Sequence, residues 1–295
     1  YYNGLSDNVT VVTTDNDTVG LVLSGTNATV SENGTTSTFT VRLNSAPTAN
    51  VTLSLSDNDT TEVLASPTTL TFSSGNWSTS QVITLTGVDD NVSDGSQSTL
   101  LTLTPSSSGD SKYNSSSLAQ SLTTVTTDND TVGLVLSKTT ATLSESGTTD
   151  NFSVVLTSEP TANVTLTLSD NDSTEVSATP STLSFGSGNW SVAQWVTLIG
   201  VDDNVSDDNQ SVLLTLTPSS SDSKYNSSSL AQTLTVTTSD NDTVGLLVSR
   251  DNVTVDERNG TDNFTVRLQS EPQDNVTLTV TDNDSTEVSL SPATL

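Results

Sequence analysis

The residues of this chain able to do chemistry are carboxylates and asparagines, and both recur at fixed spacing. The stretch Thr-Asp-Asn-Asp-Thr-Val-Gly occupies residues 14–20 and returns at 127–133, then once more at 239–245 with Ser in place of the first Thr. Its leading Asp, at 15, 128 and 240, sets periods of 113 and 112 residues. Double acids recur in the same phase, Asp89-Asp90 and Asp202-Asp203. Carboxylates drawn from separate loops to one end of a sandwich suit a hard cation such as calcium, which takes about six to eight oxygen ligands. The competing reading is turn chemistry, in which Asp-Asn-Asp shapes a bend and its acids stay solvated. Paired carboxylates also hydrolyse glycosides, but these pairs recur once per repeat at the joints, with no aromatic-lined cleft in the pattern. There is no His and no Cys, which removes Ser/His/Asp triads and thiolate metal sites. No Gly-rich phosphate loop is present. The expectation is a protein without catalytic residues, not an enzyme.

The asparagines carry the second chemistry. Of 25 Asn residues, 23 stand in Asn-x-Ser/Thr, and only Asn3 and Asn44 do not. Ser and Thr make up 106 of 295 residues, so chance would supply far fewer matches. Divergent positions make the point independently of the repeat. Asn27 and Asn252 are in sequons where the second repeat has Thr140, and Asn209, private to the second repeat, is in a sequon too. A turn uses Asn without regard to the residue two places on, whereas N-glycosylation requires the hydroxyl there. The predicted glycan acceptors are Asn8, Asn16, Asn27, Asn33, Asn50, Asn58, Asn76, Asn91, Asn114 and Asn129 around the first repeat. In the second they are Asn151, Asn163, Asn171, Asn189, Asn204, Asn209, Asn226 and Asn241, and in the third Asn252, Asn259, Asn263, Asn275 and Asn283. Several, such as Asn50 before Val51 and Leu53, alternate with inward residues, so glycans would cover sheet faces as well as loop tips.

Composition narrows the partners. The net charge is −28, from 35 acids against seven bases. No basic patch exists to neutralise phosphates, so nucleic acid is excluded, and an anionic membrane surface is disfavoured for the same reason. No apolar run approaches the length of a membrane span and no signal segment is seen, so no membrane insertion is expected.

The elements that must position these groups are strands. Thr and Val in alternating runs favour β structure. Thr38-Phe39-Thr40-Val41-Arg42-Leu43 alternates strictly, as does Asn50-Val51-Thr52-Leu53-Ser54-Leu55. Leu70-Thr71-Phe72 runs into Gly75-Asn76-Trp77, and a longer strand from Gln81 ends at Asp89-Asp90. The second repeat follows the same plan through Phe152, Val154 and Leu156. Seven to nine strands per repeat, separated by turns and without helical period, predict an all-β fold of antiparallel sandwiches in a linear array. Trp77 and Trp190 read as core or end-cap aromatics, while Trp195 falls on the outer face.

The order of these features resembles the Calx-beta domain, in its form on bacterial and archaeal surface proteins. The matching pieces are Val30-Ser31-Glu32-Asn33-Gly34, Leu70-Thr71-Phe72 before Gly75-Asn76-Trp77, Gly87-Val88-Asp89-Asp90, and Asp128-Asn129-Asp130. The resemblance implies tandem immunoglobulin-like sandwiches. It also implies calcium at one end of each, held by Glu32, Asp89, Asp90, Asp128 and Asp130, then by Glu145, Asp202, Asp203, Asp240 and Asp242. In the family the terminal acidic run is often continuous, whereas Asn129 and Asn241 interrupt it here.

The expected division is a terminal strand of a preceding or incomplete repeat at 1–16, sandwiches at 17–129 and 130–241, and the first half of a third at 242–295. A half sandwich exposes Phe264, Val266 and Leu268, which points either to a window of a longer repeat chain or to strand exchange between chains. The function expected is structural: a heavily N-glycosylated extracellular protein forming a fibre, stalk or sheath on a microbial cell surface, with itself or neighbouring repeats as partner. The alternative is a calcium-stiffened spacer of a large adhesin.

Overall fold

The computed structural model describes residue 1 and residues 3–295, and its contacts divide the chain into two units, 1–131 and 132–295. The described residues of the first form nine strands: β1 (Leu21–Leu23), β2 (Asn27–Ser31), β3 (Thr36–Leu43), β4 (Val51–Asp57), β5 (Val63–Ser66), β6 (Thr69–Phe72), β7 (Gln81–Gly87), β8 (Gln97–Ser106) and β9 (Gln120–Thr127). They form a four-stranded sheet in the order β1-β3-β7-β5 and a five-stranded sheet in the order β2-β9-β8-β4-β6. All pairings are antiparallel except β2 with β9, which runs parallel from Asn27↔Thr123 to Ser31↔Thr127. This is an immunoglobulin-like sandwich.

Alternation builds the core. In β3 the side chains of Phe39, Val41 and Leu43 are buried, and those of Thr38, Thr40 and Arg42 face outward. Opposite them Val51, Leu53 and Leu101 of the five-stranded sheet are fully buried, so each sheet contributes one face to a single core. Burying a side chain of this size contributes roughly 1.5–3 kcal/mol. Away from the site, Tyr113 braces the core: its hydroxyl donates to the Ser45 carbonyl at 2.8 Å and accepts from Ser45 N at 3.1 Å.

The second unit repeats the plan. Its strands are β10 (Leu134–Leu136), β11 (Thr140–Ser144), β12 (Thr149–Leu156), β13 (Val164–Asp170), β14 (Val176–Thr179), β15 (Thr182–Phe185), β16 (Gln194–Gly200), β17 (Gln210–Ser220) and β18 (Gln232–Ser239). They are ordered β10-β12-β16-β14 and β11-β18-β17-β13-β15, with β11 and β18 parallel. Residues of the third repeat add β19 (Leu246–Val248) and β20 (Val266–Leu268), paired antiparallel.

Two expectations about the ends differ from the structure. The terminal strand expected within residues 1–16 does not form, because among the described residues it has no ladder to join. Beyond residue 242 the described residues form only β19, β20 and two isolated bridges, Thr279↔Thr294 and Val205↔Glu271, and most side chains there are exposed. Short strands without a facing sheet have little apolar surface to bury. Among the described residues no helix is long and apolar enough to cross a membrane.

Candidate metal centre

Strand direction gathers the acids. Glu32 follows the last residue of β2, Asp128 and Asp130 follow β9, and the parallel pairing brings those two strand ends together. Asp90 lies just beyond β7, Glu62 just before its antiparallel partner β5, and Asp94 just before β8, which runs antiparallel to β9. All six therefore reach one end of the sandwich. Gly87 permits the approach: a Cβ there would overlap the Ser31 carbonyl and sit 3.3 Å from Glu32 N. With glycine, the end of β7 can lie directly against the residue that carries the central glutamate.

Carboxylate oxygens of Glu32, Glu62 and Asp90 all lie within 4.8 Å of one another, and so do those of Glu32, Asp128 and Asp130. Glu32 belongs to both groups and joins them. In the second unit the groups are Glu145, Glu175 and Asp207, and Glu145, Asp203 and Asp242, with Asp207 at the position of Asp94 and Asp203 at that of Asp90.

Backbone amides hold some of these carboxylate oxygens and leave others open; Asp128 has both oxygens taken, by Gly95 N and by Asp130 N. Asn129 N donates to Glu32 Oε2 at 3.1 Å, Gly95 N to Asp128 Oδ2 at 2.7 Å, and Val92 N to Asp90 Oδ1 at 2.7 Å. Meanwhile Glu32 Oε1, Glu62 Oε2 and Asp130 Oδ2 are buried without a hydrogen-bond partner. The second unit matches: Asn241 N donates to Glu145 Oε2 at 3.3 Å, and Glu145 Oε1, Glu175 Oε2, Asp207 Oδ1 and Asp242 Oδ2 are left unpartnered. Asp208 takes the place of Gly95, holds the same left-handed backbone (φ 66°), and donates its N–H to Asp240 Oδ2 at 3.0 Å.

The electrostatics follow. Burial first, then the carboxylates of Asp94 and Glu32, push Glu62 from its ordinary 4.5 up to about 7. Glu175 is pushed to about 7 by burial and by Glu145. Burial also raises Glu32 and Glu145, opposed by the amides of Asn129 and Asn241, and raises Asp130, with Asp128 adding to it. Among the described residues the three ion pairs, Lys112–Asp15, Lys138–Asp150 and Arg250–Asp262, lie elsewhere, so no basic side chain neutralises the cluster. Buried, unpaired, like-charged oxygens cost free energy unless something positive joins them. The donor set is oxygen only, which fits a hard divalent cation.

The Calx-beta domain profile matches residues 14–131 and again 127–242. The chain belongs to the Calx-beta family. No curated protein matches it significantly. Among solved structures, CBD12 from CALX1.2 shares 15% identity over 69% of this chain and 82% of its own, with a TM-score of 0.31. The calcium binding domain CBD12 of CALX1.1 shares 17% over 66% and 79%, with a TM-score of 0.31. The apo form of the Calx CBD1 domain shares 18% over 37% and 98%, with a TM-score of 0.29.

In the first Calx-beta domain the sequence-expected Glu32, Asp90, Asp128 and Asp130 converge, whereas Asp89 is exposed and its Oδ1 accepts from Asn129 Nδ2 at 3.0 Å. In the second, Glu145, Asp203 and Asp242 converge, Asp202 accepts from Asn241 Nδ2 at 2.9 Å, and Asp240 caps the backbone of Asp242 and Asp208. Adjacent residues of an extended segment point to opposite sides, so one acid of each double Asp turns inward and its neighbour turns out. Sequence reasoning missed Glu62 and Glu175, together with Asp94 and Asp207. A signal existed: six of the chain's eight glutamates fall in two aligned columns, Glu32/Glu145/Glu257 and Glu62/Glu175/Glu287. Of the 23 sequon asparagines, 22 are exposed and Asn76 is half-buried.

Proposed function

We propose that this chain is a structural repeat protein of the cell exterior, in which each Calx-beta domain is stiffened by calcium at one end and sheathed in N-linked glycan. The observation that carries the cation reading is the set of seven buried carboxylate oxygens without partners among the described residues, three in the first domain and four in the second. Calcium fits better than magnesium, because several carboxylates and loop carbonyls can surround it flexibly, while magnesium keeps its waters in a strict octahedron. Glu32 and Glu145 would bridge the two groups in their domains, and the remaining acids would complete each group.

Calorimetric melting with calcium and with chelator tests this. An ion at about a hundred times its Kd stabilises by about 2.7 kcal/mol, which in a domain of this size is a rise of about 10 °C. Identical melting in the two conditions refutes it.

The glycan reading is supported by the sequon bias and by the exposure of the acceptors. N-linked glycosylation in turn argues for an extracellular or cell-surface location. With such a coat, a fibre, stalk or sheath on a microbial surface is the role proposed, with neighbouring repeats as partners. A spacer within a larger adhesin is the second reading, favoured by the repetition of the acidic cluster in both domains. Sedimentation of the native glycoprotein separates them: concentration-dependent growth supports self-assembly, and a constant monomer supports the spacer.

A further inference from the structure

The outer face of the β10-β12-β16-β14 sheet carries an indole, that of Trp195, which is 59% exposed although its neighbour Val196 is fully buried. Trp195 pairs with Ser153 of β12, and Asn151 lies two residues before Ser153, paired with Thr197. Period-two alternation puts Asn151 and Trp195 on the same outward face as diagonal cross-strand neighbours. Such neighbours have their Cβ atoms about 7 Å apart, within reach of a large ring.

Three observations point to what covers the indole. Asn151 opens the sequon Asn-Phe-Ser and is exposed. Among the described residues its side-chain amide has no hydrogen bond, and its backbone N–H donates to Asp150 Oδ1 at 2.7 Å. By contrast Asn76, Asn189, Asn129 and Asn241 spend their Nδ2 on Thr71 O, Ser184 O, Asp89 and Asp202. The third observation is a natural comparison inside the chain. The first domain has the same register, with Thr38↔Thr84 and Thr40↔Val82. There the position of Asn151 is Thr38 and that of Trp195 is Val82, while the inward Phe39, Ile83 and Leu85 match Phe152, Val196 and Leu198 in kind. The core is kept, and the sequon and the aromatic ring change together.

We propose that Asn151 carries an N-linked glycan whose first sugar packs against the Trp195 indole. A pyranose presents a face of C–H groups, apolar and weakly positive, which complements the negative π-face of an indole. The contact shields the ring from water and fixes the glycan along the sheet instead of leaving it to sweep solvent. This inference rests on the N-glycosylation reading, and the experiment separates the two.

The glycosylated chain and the same chain made in a host without N-glycosylation are each prepared as wild type, Trp195→Val, Asn151→Thr and the double variant. Both substitutions install the residue of the first domain, so the fold tolerates them. Occupancy of Asn151 is read by glycopeptide mass spectrometry, packing by acrylamide quenching and by ring-current shifts of sugar protons. In the glycosylated chain each single variant lowers the second domain's melting temperature by about 3 °C and the double variant by no more than either. In the unglycosylated chain that coupling is absent. If Asn151 is occupied but Trp195→Val leaves melting and sugar shifts unchanged, packing is overturned and glycosylation stands. Should Asn151 be empty while other sequons are filled, the inference falls, and a shielded Trp195 then points to a protein partner. If every sequon is empty, the glycan reading falls with it.

Discussion

Replacing Glu62 and Glu175 together by Gln tests the charge argument at its most strained point. Each glutamate is nearly fully buried, at 5% and 3% exposure, and each is pushed from 4.5 to about 7. A carboxyl whose folded value lies above its unfolded value holds its proton more tightly when folded. Between pH 4.5 and 7 the folded state therefore binds more protons, and stability falls as pH rises through that window. At about 1.4 kcal/mol per pH unit the loss is about 3 kcal/mol per domain. Without metal, wild type should melt about 10 °C lower at pH 7.5 than at pH 5. Glutamine has the shape of the protonated acid and cannot ionise, so the double variant should lose most of that drop. In chelator at pH 7.5 it should melt above wild type, while its gain from calcium shrinks. Differential scanning calorimetry at the two pH values, with chelator or calcium, reads all of this. A metal-free wild type whose melting temperature is flat from pH 5 to 7.5, or a double variant less stable than wild type in chelator, would refute the reasoning. Acids with lowered values, such as Asp110 bonded by Thr48 N–H, lose their contribution only as pH falls below 3.8, outside this window.

Gly87→Ala places a methyl group onto the Ser31 carbonyl; we expect a loss of about 3 kcal/mol by denaturant unfolding and weaker calcium binding in the first domain. Tyr113→Phe leaves the buried Ser45 backbone without its hydroxyl partner; chemical denaturation should show a loss of about 1–3 kcal/mol with calcium affinity unchanged. Glycopeptide mapping should find Asn50 and Asn163, both exposed at the starts of β4 and β13, occupied in native material, and bare peptides there would restrict the glycans to loops.

The sandwich was legible because alternation is a direct image of burial. Phe39, Val41 and Leu43 read as one inward row and are one, and Trp195 reads as outward and is. The site was legible only in part. Glu32, Asp90 and Asp130 stand in motifs, but Glu62 and Glu175 hide in Thr-Glu-Val beside an acidic turn, where local pattern predicts a solvated edge. Their burial is decided by β5 and β14 docking beside β7 and β16, a long-range pairing that no local window contains. The ends were least legible. Residues 9–14 have strand character, but a strand exists only by pairing.

The parallel pairing of β2 with β9 has a mechanical consequence. One strand lies near the start of its domain and the other closes it, and they run in the same direction through five paired positions. Tension that draws β9 forward and β2 back loads the whole ladder in shear, so its bonds must give way together instead of unzipping in turn. At the leading end of that ladder Glu32 N donates to Thr127 O, and the Glu32 carboxylate meets Asp128 and Asp130 just beyond. An ion held there would act as a rivet at the point where slippage must begin. Each domain would then resist stretching most strongly in calcium-rich surroundings and yield at lower force when the ion is withdrawn.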